Sequence, residues 1–242
     1  MDRNRERDRD RLNMPIVADS VFNRQVSNVR TNQLSLEQLR VLAELNAPAD
    51  RLPENFVGQS QSTTQGRQIL TQEDVERIAF YDDITPVYNF RYLLRKLDRE
   101  VRRSKRYNRP LSIMIVAIGG LQKIQAEFGD QIHLNTLIFV ANQLNAASRT
   151  DIDMVARYGD DRFLLMLPET PGSGAVIVAD RIRKKFLDLP FQHNWHKLWV
   201  ETSIGIAYFP AHGTAPQELI AKADLACDLV VERGGNGTAF CP

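Results

Sequence analysis

The chain has 242 residues, of which 43% are hydrophobic and 25% charged, and its formal net charge is +1, a balance typical of a globular protein and one that does not favour nucleic acid as a partner. The two cysteines, Cys227 and Cys241, have no metal-binding spacing, which predicts a reducing, cytoplasmic setting. We also expect no membrane insertion, because the sequence shows neither a signal-peptide pattern nor a sufficiently long apolar run.

The first 70 residues predict three segments. Residues 1–34 predict a disordered charged tail, in which arginines first alternate with acidic and amide residues. Residues 35–47 predict a short amphipathic helix with leucines at every third position, and residues 48–70 predict a polar linker. Because so short a helix rarely holds alone, we expect a protein partner, or a second copy of the chain in a homodimer, to bind through it. The leucines are Leu36, Leu39, Leu42 and Leu45.

One folded domain is predicted over 71–242, where Thr71 has the character of a helix N-cap. The order of elements in it contains β-α-β-β-α-β, the ferredoxin-like arrangement. We therefore predict an α+β fold with its first and third strands in the centre of the sheet and the helices on one face. The predicted helices are 90–107, 135–147, 174–189 and 215–235, and the predicted extended segments are 111–118, the hairpin 155–168, and 198–210.

The predicted helix 90–107 is strongly amphipathic. Leucines and a valine follow one face, and many arginines and lysines lie opposite. We interpret the basic side as a solvated helix face, with a binding patch as the alternative.

The predicted hairpin has an unusual tip. In VARYGDDRFLLMLPET, residues 155–170, two apolar runs flank the polar residues 159–162. This tip would project beside the C-terminal end of the first strand, where palm-type nucleotidyl cyclases hold their metal-binding carboxylates. The question for function is whether the tip is a metal-dependent active site or the remains of one.

Residues 82–240 resemble the GGDEF domain of diguanylate cyclases. DDITPVYNFRYL, from residue 82, resembles the family's opening D-x-L-T-G-L-x-N-R, and ARYGDDRF, from residue 156, resembles A-R-Y-G-G-D-E-F. TSIGIAYFP, from residue 202, and KADLACDLVVERGGN, from residue 222, resemble the last strand and the last helix. The resemblance implies a bacterial protein of cyclic di-GMP signalling, in a family whose enzymes join two GTP molecules using two Mg²⁺ ions in each of two facing domains.

The same resemblance implies that the catalytic centre is degenerate. The family's metal-binding Asp falls on Ala117, and the second Asp of that motif falls on Gly119, which Gly120 follows. Only one metal-ligand position is retained, as Asp161, and one carboxylate is a poor Mg²⁺ site. We therefore expect no catalytic residues, no metal and no cofactor, except Mg²⁺ if a nucleotide is bound. The four signature positions are Gly159, Asp160, Asp161 and Arg162, where Arg162 replaces a Glu.

The nucleotide-contacting positions of the family are also replaced. Its guanine-reading Asn and Asp fall on Gln125 and Leu134, and its phosphate-binding Lys and Arg fall on Val231 and Gly235. Loss of one such cation can cost a factor of roughly 10³–10⁵ in rate. The favoured interpretation is an inactive domain that serves as a signalling or protein-interaction module. The alternatives are a receptor for GTP or cyclic di-GMP, an active diguanylate cyclase, and a structural subunit of a larger assembly.

The receptor alternative depends on the family's product-binding R-x-x-D motif. Asp153 occupies the Asp position, but Thr150 occupies the Arg position, and Arg149 lies one residue away. A displaced Arg changes the bidentate geometry of phosphate binding. Arg149 and Asp153 are thus weak candidates for nucleotide binding, and surface ion-pairing is the favoured interpretation.

The remaining histidines suggest no metal site. His193 and His196 are three residues apart in a predicted loop, whereas zinc needs three or four protein ligands. We expect the nearby Trp195 and Trp199 to pack against the domain or to cover a partner surface.

Overall fold

The computed structural model of the chain describes residues 71–241. The three predicted N-terminal segments, 1–34, 35–47 and 48–70, lie outside these residues. The described helices are α1 (Gln72–Phe80), α2 (Phe90–Tyr107), α3 (Leu121–Phe128), α4 (Asp130–Ala147), α5 (Gly172–Asp188) and α6 (Pro216–Glu232). The strands are β1 (Tyr88–Asn89), β2 (Leu111–Gly119), β3 (Met154–Arg157), β4 (Arg162–Pro168), β5 (Phe191–His193), β6 (His196–Leu198), β7 (Glu201–Phe209) and β8 (Thr238–Phe240).

Six strands form the main sheet, in the order β1-β3-β4-β2-β7-β8. β2 lies in the centre and pairs antiparallel with both β4 and β7. Within the β-α-β-β-α-β repeat, the first strand (β2) and the third strand (β4) are therefore the inner ones, which confirms the predicted ferredoxin-like fold. The short strands β1 and β8 extend the sheet at its two edges through parallel pairing.

Helices cover both faces of this sheet, so the prediction of helices on one face is incomplete. The two helices inside the repeat, α4 and α5, pack with α3 on one face around Met114, Val116 and Leu165. The flanking helices α2 and α6 pack on the other face around Ile113, Ile115 and Leu164. The reason lies in β2, whose first eight residues are all buried, because a strand that is apolar on both sides needs cover on both sides.

Several predicted boundaries shift. Helix 135–147 begins at Asp130, and an unpredicted helix, α3, precedes it across Gly129, which has a φ of 84°. The helix predicted over 215–235 ends at Glu232, because Gly234 and Gly235 adopt positive φ angles that favour glycine after a helix.

The segment that contains His193 and His196 is not the predicted loop. It forms an antiparallel pair, β5 and β6, in which His193 lies opposite His196. Asn194 begins the two-residue turn with a φ of 54°, a conformation that asparagine tolerates in tight hairpins. Trp195 at the tip is 93% exposed, so within the described residues it does not pack against the domain.

The N-terminus of α1 agrees with the prediction for Thr71. Its side chain accepts a hydrogen bond from the Asp74 backbone N–H, and the Asp74 carboxylate accepts one from the Thr71 N–H. This reciprocal capping satisfies two N–H groups that a helix start otherwise leaves open. None of the described helices has the length and apolar character needed to cross a bilayer.

Candidate functional site

The signature tip lies against the end of the central strand β2, as predicted. In the β2–β4 pairing Ala117 lies directly opposite Arg162. The Ile118 backbone N–H donates to the Asp161 carbonyl oxygen at 2.8 Å. The two chain segments that carry metal ligands in the resembled family are therefore neighbours here, so the scaffold of such a site is preserved.

The tip itself is a closed turn. The backbone N–H groups of Tyr158 and Gly159 donate to the Arg162 carbonyl oxygen at 2.8 and 3.2 Å. The Arg157 guanidinium donates to the carbonyl oxygens of Gly159 and Asp160, both at 3.0 Å. Neither Gly159 nor Asp160 has a positive φ, so aspartate replaces the family's second glycine without backbone strain.

Arg162 is bound by two carboxylates of α6. Its Nη1 lies 2.5 Å from Asp224 Oδ1, and its Nη2 lies 2.6 Å from Asp228 Oδ1. A third carboxylate, that of Asp161, lies 3.9 Å from Arg162 Nε. We call Arg162, Asp224 and Asp228 the signature clamp, since together they join the tip of β4 to the last helix.

The electrostatics of the clamp are those of a partly buried ion cluster. Burial lowers the pKa of Arg162, but the hydrogen bond to Asp228 and the charges of both aspartates outweigh it, so the pKa is raised and the guanidinium stays charged. Burial raises the pKa of Asp224, although the charge of Arg162 and its hydrogen bond oppose this. The Tyr158 hydroxyl lies 3.5 Å from the same carboxylate.

Sequence reasoning missed this clamp. Asp224 and Asp228 are four residues apart and so share one helix face, but they are 62 and 66 residues from Arg162. The available signal was a charge reversal at the fourth signature position together with an i, i+4 pair of aspartates in the last helix.

The residues present do not fit the magnesium centre that the resemblance implies. Ala117 is buried and offers no oxygen ligand. A side chain at Gly119 would meet the Glu201 Cβ at 3.2 Å, because Glu201 lies beside it on β7. Among residues 71–241 no group of three or more His, Cys, Asp or Glu side chains has the arrangement of a metal site. The guanidinium of Arg162 instead supplies the positive charge at the tip.

The positions that the resemblance assigns to nucleotide contacts are engaged elsewhere or have no polar side chain. The Gln125 amide donates to Asp130 Oδ1 at 2.8 Å, and Leu134 has no polar atom in its side chain. Val231 is exposed on α6. Gly235 has a φ of 75°, and a Cβ there would lie 3.6 Å from the carboxylate of Glu201. A carboxylate thus lies near the position where the family has a phosphate-binding cation.

Arg149 and Asp153 form an ion pair with each other. Arg149 Nη2 donates to Asp153 Oδ1 at 2.7 Å, to the Pro168 carbonyl at 2.7 Å and to Thr170 Oγ1 at 2.9 Å. The Asp153 side chain is 1% exposed. Because the guanidinium and the carboxylate are already engaged, this arrangement favours the ion-pair interpretation over a phosphate site.

The opening segment of the resemblance also has structural roles. The Asp82 carboxylate accepts hydrogen bonds from the Thr85 N–H at 2.8 Å and from its hydroxyl at 2.7 Å. Asn89 caps α2 by accepting from the Tyr92 N–H at 2.8 Å. Asp82 also lies 3.7 Å from Arg157, so this turn contacts the residue that holds the signature tip.

Comparison with known proteins identifies the family of this domain. The family described as diguanylate cyclase, GGDEF domain, matches residues 79–237. That match covers more than half of the chain, so the chain belongs to the GGDEF domain family.

Its relatives are longer proteins. The response regulator PleD of Caulobacter vibrioides is 32% identical over 149 residues, which are 61% of this chain and 33% of PleD. The bifunctional diguanylate cyclase/cyclic di-GMP phosphodiesterase MucR of Pseudomonas aeruginosa is 27% identical over 164 residues, 68% of this chain and 24% of MucR. Diguanylate cyclase DosC of Escherichia coli is 27% identical over 223 residues, 90% of this chain and 45% of DosC. The chain spans less than half the length of each.

Solved structures show the same fold. The GGDEF domain of TpbB (YfiN) from Pseudomonas aeruginosa has a TM-score of 0.64 at 23% identity, over 67% of this chain and 94% of that one. Diguanylate cyclase SiaD from the same organism, solved with its activator SiaC, has a TM-score of 0.62 at 24% identity, over 66% and 61%. The coiled coil and GGDEF domain of DgcB from Caulobacter crescentus, solved with c-di-GMP, has a TM-score of 0.64 at 19% identity, over 69% and 88%.

Proposed function

We propose that this domain is a catalytically inactive GGDEF domain that acts as a signalling or protein-interaction module. The observation that carries the proposal is the signature clamp, in which Arg162 engages Asp224 and Asp228. The Arg162 guanidinium lies 3.9 Å from the carboxylate of Asp161, the single retained ligand position. That carboxylate therefore has a protein cation beside it and no second carboxylate from Ala117 with which to share a Mg²⁺ ion.

The surrounding charges oppose nucleotide binding in a second way. GTP carries a polyanionic triphosphate, which needs cations or metal ions to hold it. Here Val231 and Gly235 stand in place of two cations, and Glu201 adds a carboxylate beside Gly235. The arrangement therefore favours neither the ground state nor the transition state of phosphoryl transfer.

The contacts of Arg149 and Asp153 argue against the receptor alternative. Arg149 would have to release Asp153, Pro168 and Thr170 before it could bind a phosphate. Cyclic di-GMP would thus have to compensate for leaving a buried Asp153 carboxylate unpaired.

An interaction role suits a domain whose fold is complete while its catalytic groups are absent. SiaD, a GGDEF-containing structural relative, was solved in complex with another protein. For this chain, the partner site proposed from the sequence is the N-terminal leucine segment, residues 35–47. The leucine spacing supports that site, since an isolated helix of that length needs a packing surface.

The test is a turnover assay on the full chain with GTP and Mg²⁺, and then with Mn²⁺, in which product is resolved by chromatography. The active GGEEF domain of a Vibrio cholerae diguanylate cyclase serves as the positive control, and Asp161→Ala as the matched variant. We expect no cyclic di-GMP from this chain or from the variant. Product from the wild type that is lost in Asp161→Ala would overturn the proposal.

A further inference from the structure

Helix α2 carries an exposed stripe of five arginines that the candidate site does not use. Their spacing of four, four, three and four residues keeps them within about 80° of one another around the helix axis. At 1.5 Å of rise per residue the stripe is about 22 Å long. The arginine stripe consists of Arg91, Arg95, Arg99, Arg102 and Arg106, all of them exposed.

The stripe points directly away from the domain. The opposite face of α2 contains the buried residues Leu93, Leu97, Val101 and Ser104, which lie about half a turn from the stripe. The helix is thus anchored by its apolar face, and the arginines are presented on a fixed, regularly spaced surface.

Charge is strongly concentrated on this helix. Helix α2, Phe90–Tyr107, contains eight arginines and lysines against two acidic residues, a net charge of +6, whereas the whole chain carries +1. The rest of the chain is therefore net negative by five charges. A solvated helix face does not need such an accumulation of one sign, because self-repulsion along it is unfavourable.

The domain itself engages part of the stripe. Arg102 pairs with Asp98 within the helix, and the Arg106 guanidinium lies 5.3 Å from the Tyr107 ring centroid. In the part of the chain that the structure describes, Arg91 and Arg99 have no ion-pair partner. These arginines are therefore available to external carboxylates.

We propose that the arginine stripe is a docking surface for an acidic α-helical segment of a partner protein. Carboxylates placed three and four residues apart on a helix have the same spacing as the arginines, and guanidinium groups bind carboxylates in a planar bidentate manner. The proposal deepens the proposed function, on which it rests, since it gives the interaction module a second surface and its partner a chemical character.

One side of α2 is already contacted by a helix of the same domain. Helix α1 has three acidic residues and one arginine among its nine residues, and it packs beside α2 through Phe80 and Tyr92, whose ring centroids are 4.7 Å apart. At nine residues, about 14 Å, α1 is too short to cover the stripe.

Two other polyanions suit the stripe less well. Sites for single-stranded nucleic acid combine cations with several stacking aromatic side chains, whereas the exposed ring beside the stripe, Tyr107, lies at its end next to Arg106. A helix that binds a membrane surface turns apolar side chains toward the lipid, whereas the apolar face of α2 is buried in the core.

The test is fluorescence anisotropy of a labelled, alanine-rich helical peptide with five glutamates at four-four-three-four spacing, titrated with the full chain. A peptide of the same composition with its glutamates distributed around the helix is the peptide control. The protein variants are Arg91→Gln/Arg99→Gln/Arg106→Gln and, matched for charge on other exposed surfaces, Lys123→Gln/Lys184→Gln/Lys222→Gln. Glutamine retains good helix propensity.

We expect the stripe variant to weaken binding of the spaced peptide roughly tenfold and the lysine variant to change it less than about twofold, from the usual size of exposed ion pairs. The wild type should also bind the spaced peptide more tightly than the control peptide. Equal losses in the two variants, equal affinity for both peptides, or tighter binding to a 20-base-pair DNA duplex or to vesicles of 30% anionic lipid would overturn the proposal. Since none of these substitutions touches the signature clamp, turnover of GTP by the chain would contradict the proposed function and leave this result interpretable.

Discussion

The two ends of the β2–β4 strand pair are stabilised in different ways. Along most of its length the pair consists of buried apolar residues, such as Ile115 opposite Leu164 on one face of the sheet and Met114 opposite Leu165 on the other. At the signature end, Ala117 lies opposite Arg162, which reaches across to two aspartates of α6. In this domain, apolar packing stabilises most of the strand pair, whereas ion pairs to α6 stabilise its signature end.

The largest expected effect comes from the apolar part. Phe163 is fully buried directly beside Arg162. Phe163→Ala should lower the free energy of unfolding by about 3–5 kcal/mol, because it removes a buried ring and leaves a cavity. Denaturant titration measures this, with Trp195→Ala at an exposed hairpin tip as a control within about 0.5 kcal/mol of the wild type. A decrease in the free energy of unfolding well below this range would mean that the apolar strand pairs are not the main source of the domain's stability.

A second test concerns Cys227, which lies between the clamp aspartates on α6 but packs in the core. Its thiol donates to the Ser203 carbonyl oxygen at 3.3 Å, and burial raises the pKa of Cys227 to about 11. An unfolded thiol ionises near its usual pKa, so the stability due to the neutral thiol is complete below that value and is lost as pH rises from about 9 to 11.

The expected loss over that window is roughly 2–3 kcal/mol in the free energy of unfolding. The measurement is urea unfolding at pH values from 8 to 11, as the difference between the wild type and Cys227→Ala. If the difference in free energy of unfolding between the two proteins does not change with pH, burial does not keep the Cys227 thiol neutral.

The clamp itself should matter less than the core. Arg162→Met leaves Asp224 and Asp228 without their cation and should cost about 2 kcal/mol in the free energy of unfolding at pH 7. Without the guanidinium the raised pKa of Asp224 rises further, so the deficit should shrink as pH falls, because the folded variant takes up a proton at this carboxyl before the unfolded chain does.

The control for this prediction is the combined variant Arg162→Met/Asp224→Asn/Asp228→Asn, which removes all three charges. It should be more stable than Arg162→Met alone, since no carboxylate is left unpaired. Additive losses in the three positions would show that the contacts of the clamp are not energetically coupled.

The smallest expected effect is at Arg149. Arg149→Gln leaves the buried Asp153 carboxylate with fewer donors and should cost about 1–2 kcal/mol in the free energy of unfolding. Asp153→Asn in the same background should recover part of that loss. If cyclic di-GMP bound the wild type and not Arg149→Gln, Arg149 would be a ligand-binding residue rather than a structural one.

Much of the fold could be predicted from the sequence because its signals are local. The apolar run of β2 and the amphipathic patterns of α2 and α6 predict where these elements lie. The N-cap of α1 is predicted by Thr71. Helix α3 was missed because it is short and starts at Gly120 without a side-chain cap. The edge strands β1 and β8 have two and three residues, too few for a periodic pattern.

The positions of the candidate site could be assigned from the sequence, but the contacts among them could not. Ala117, Gly119 and Arg162 could be assigned from the motif spacing alone. The partners of Arg162 depend on how α6 packs over the sheet, which joins residues more than sixty positions apart. Likewise, the closeness of Glu201 to Gly119 and Gly235 follows from strand register and a left-handed glycine, neither of which a local pattern reveals.

The claim that this domain has lost its nucleotide and metal site is tested most directly by isothermal titration calorimetry of GTP with the full chain, with and without Mg²⁺. The clamp, the missing carboxylate at Ala117 and the missing cations predict no measurable heat of binding at tens of micromolar protein under either condition. Magnesium-dependent binding of GTP would contradict this account, because it would require a metal site at the signature tip in spite of Arg162.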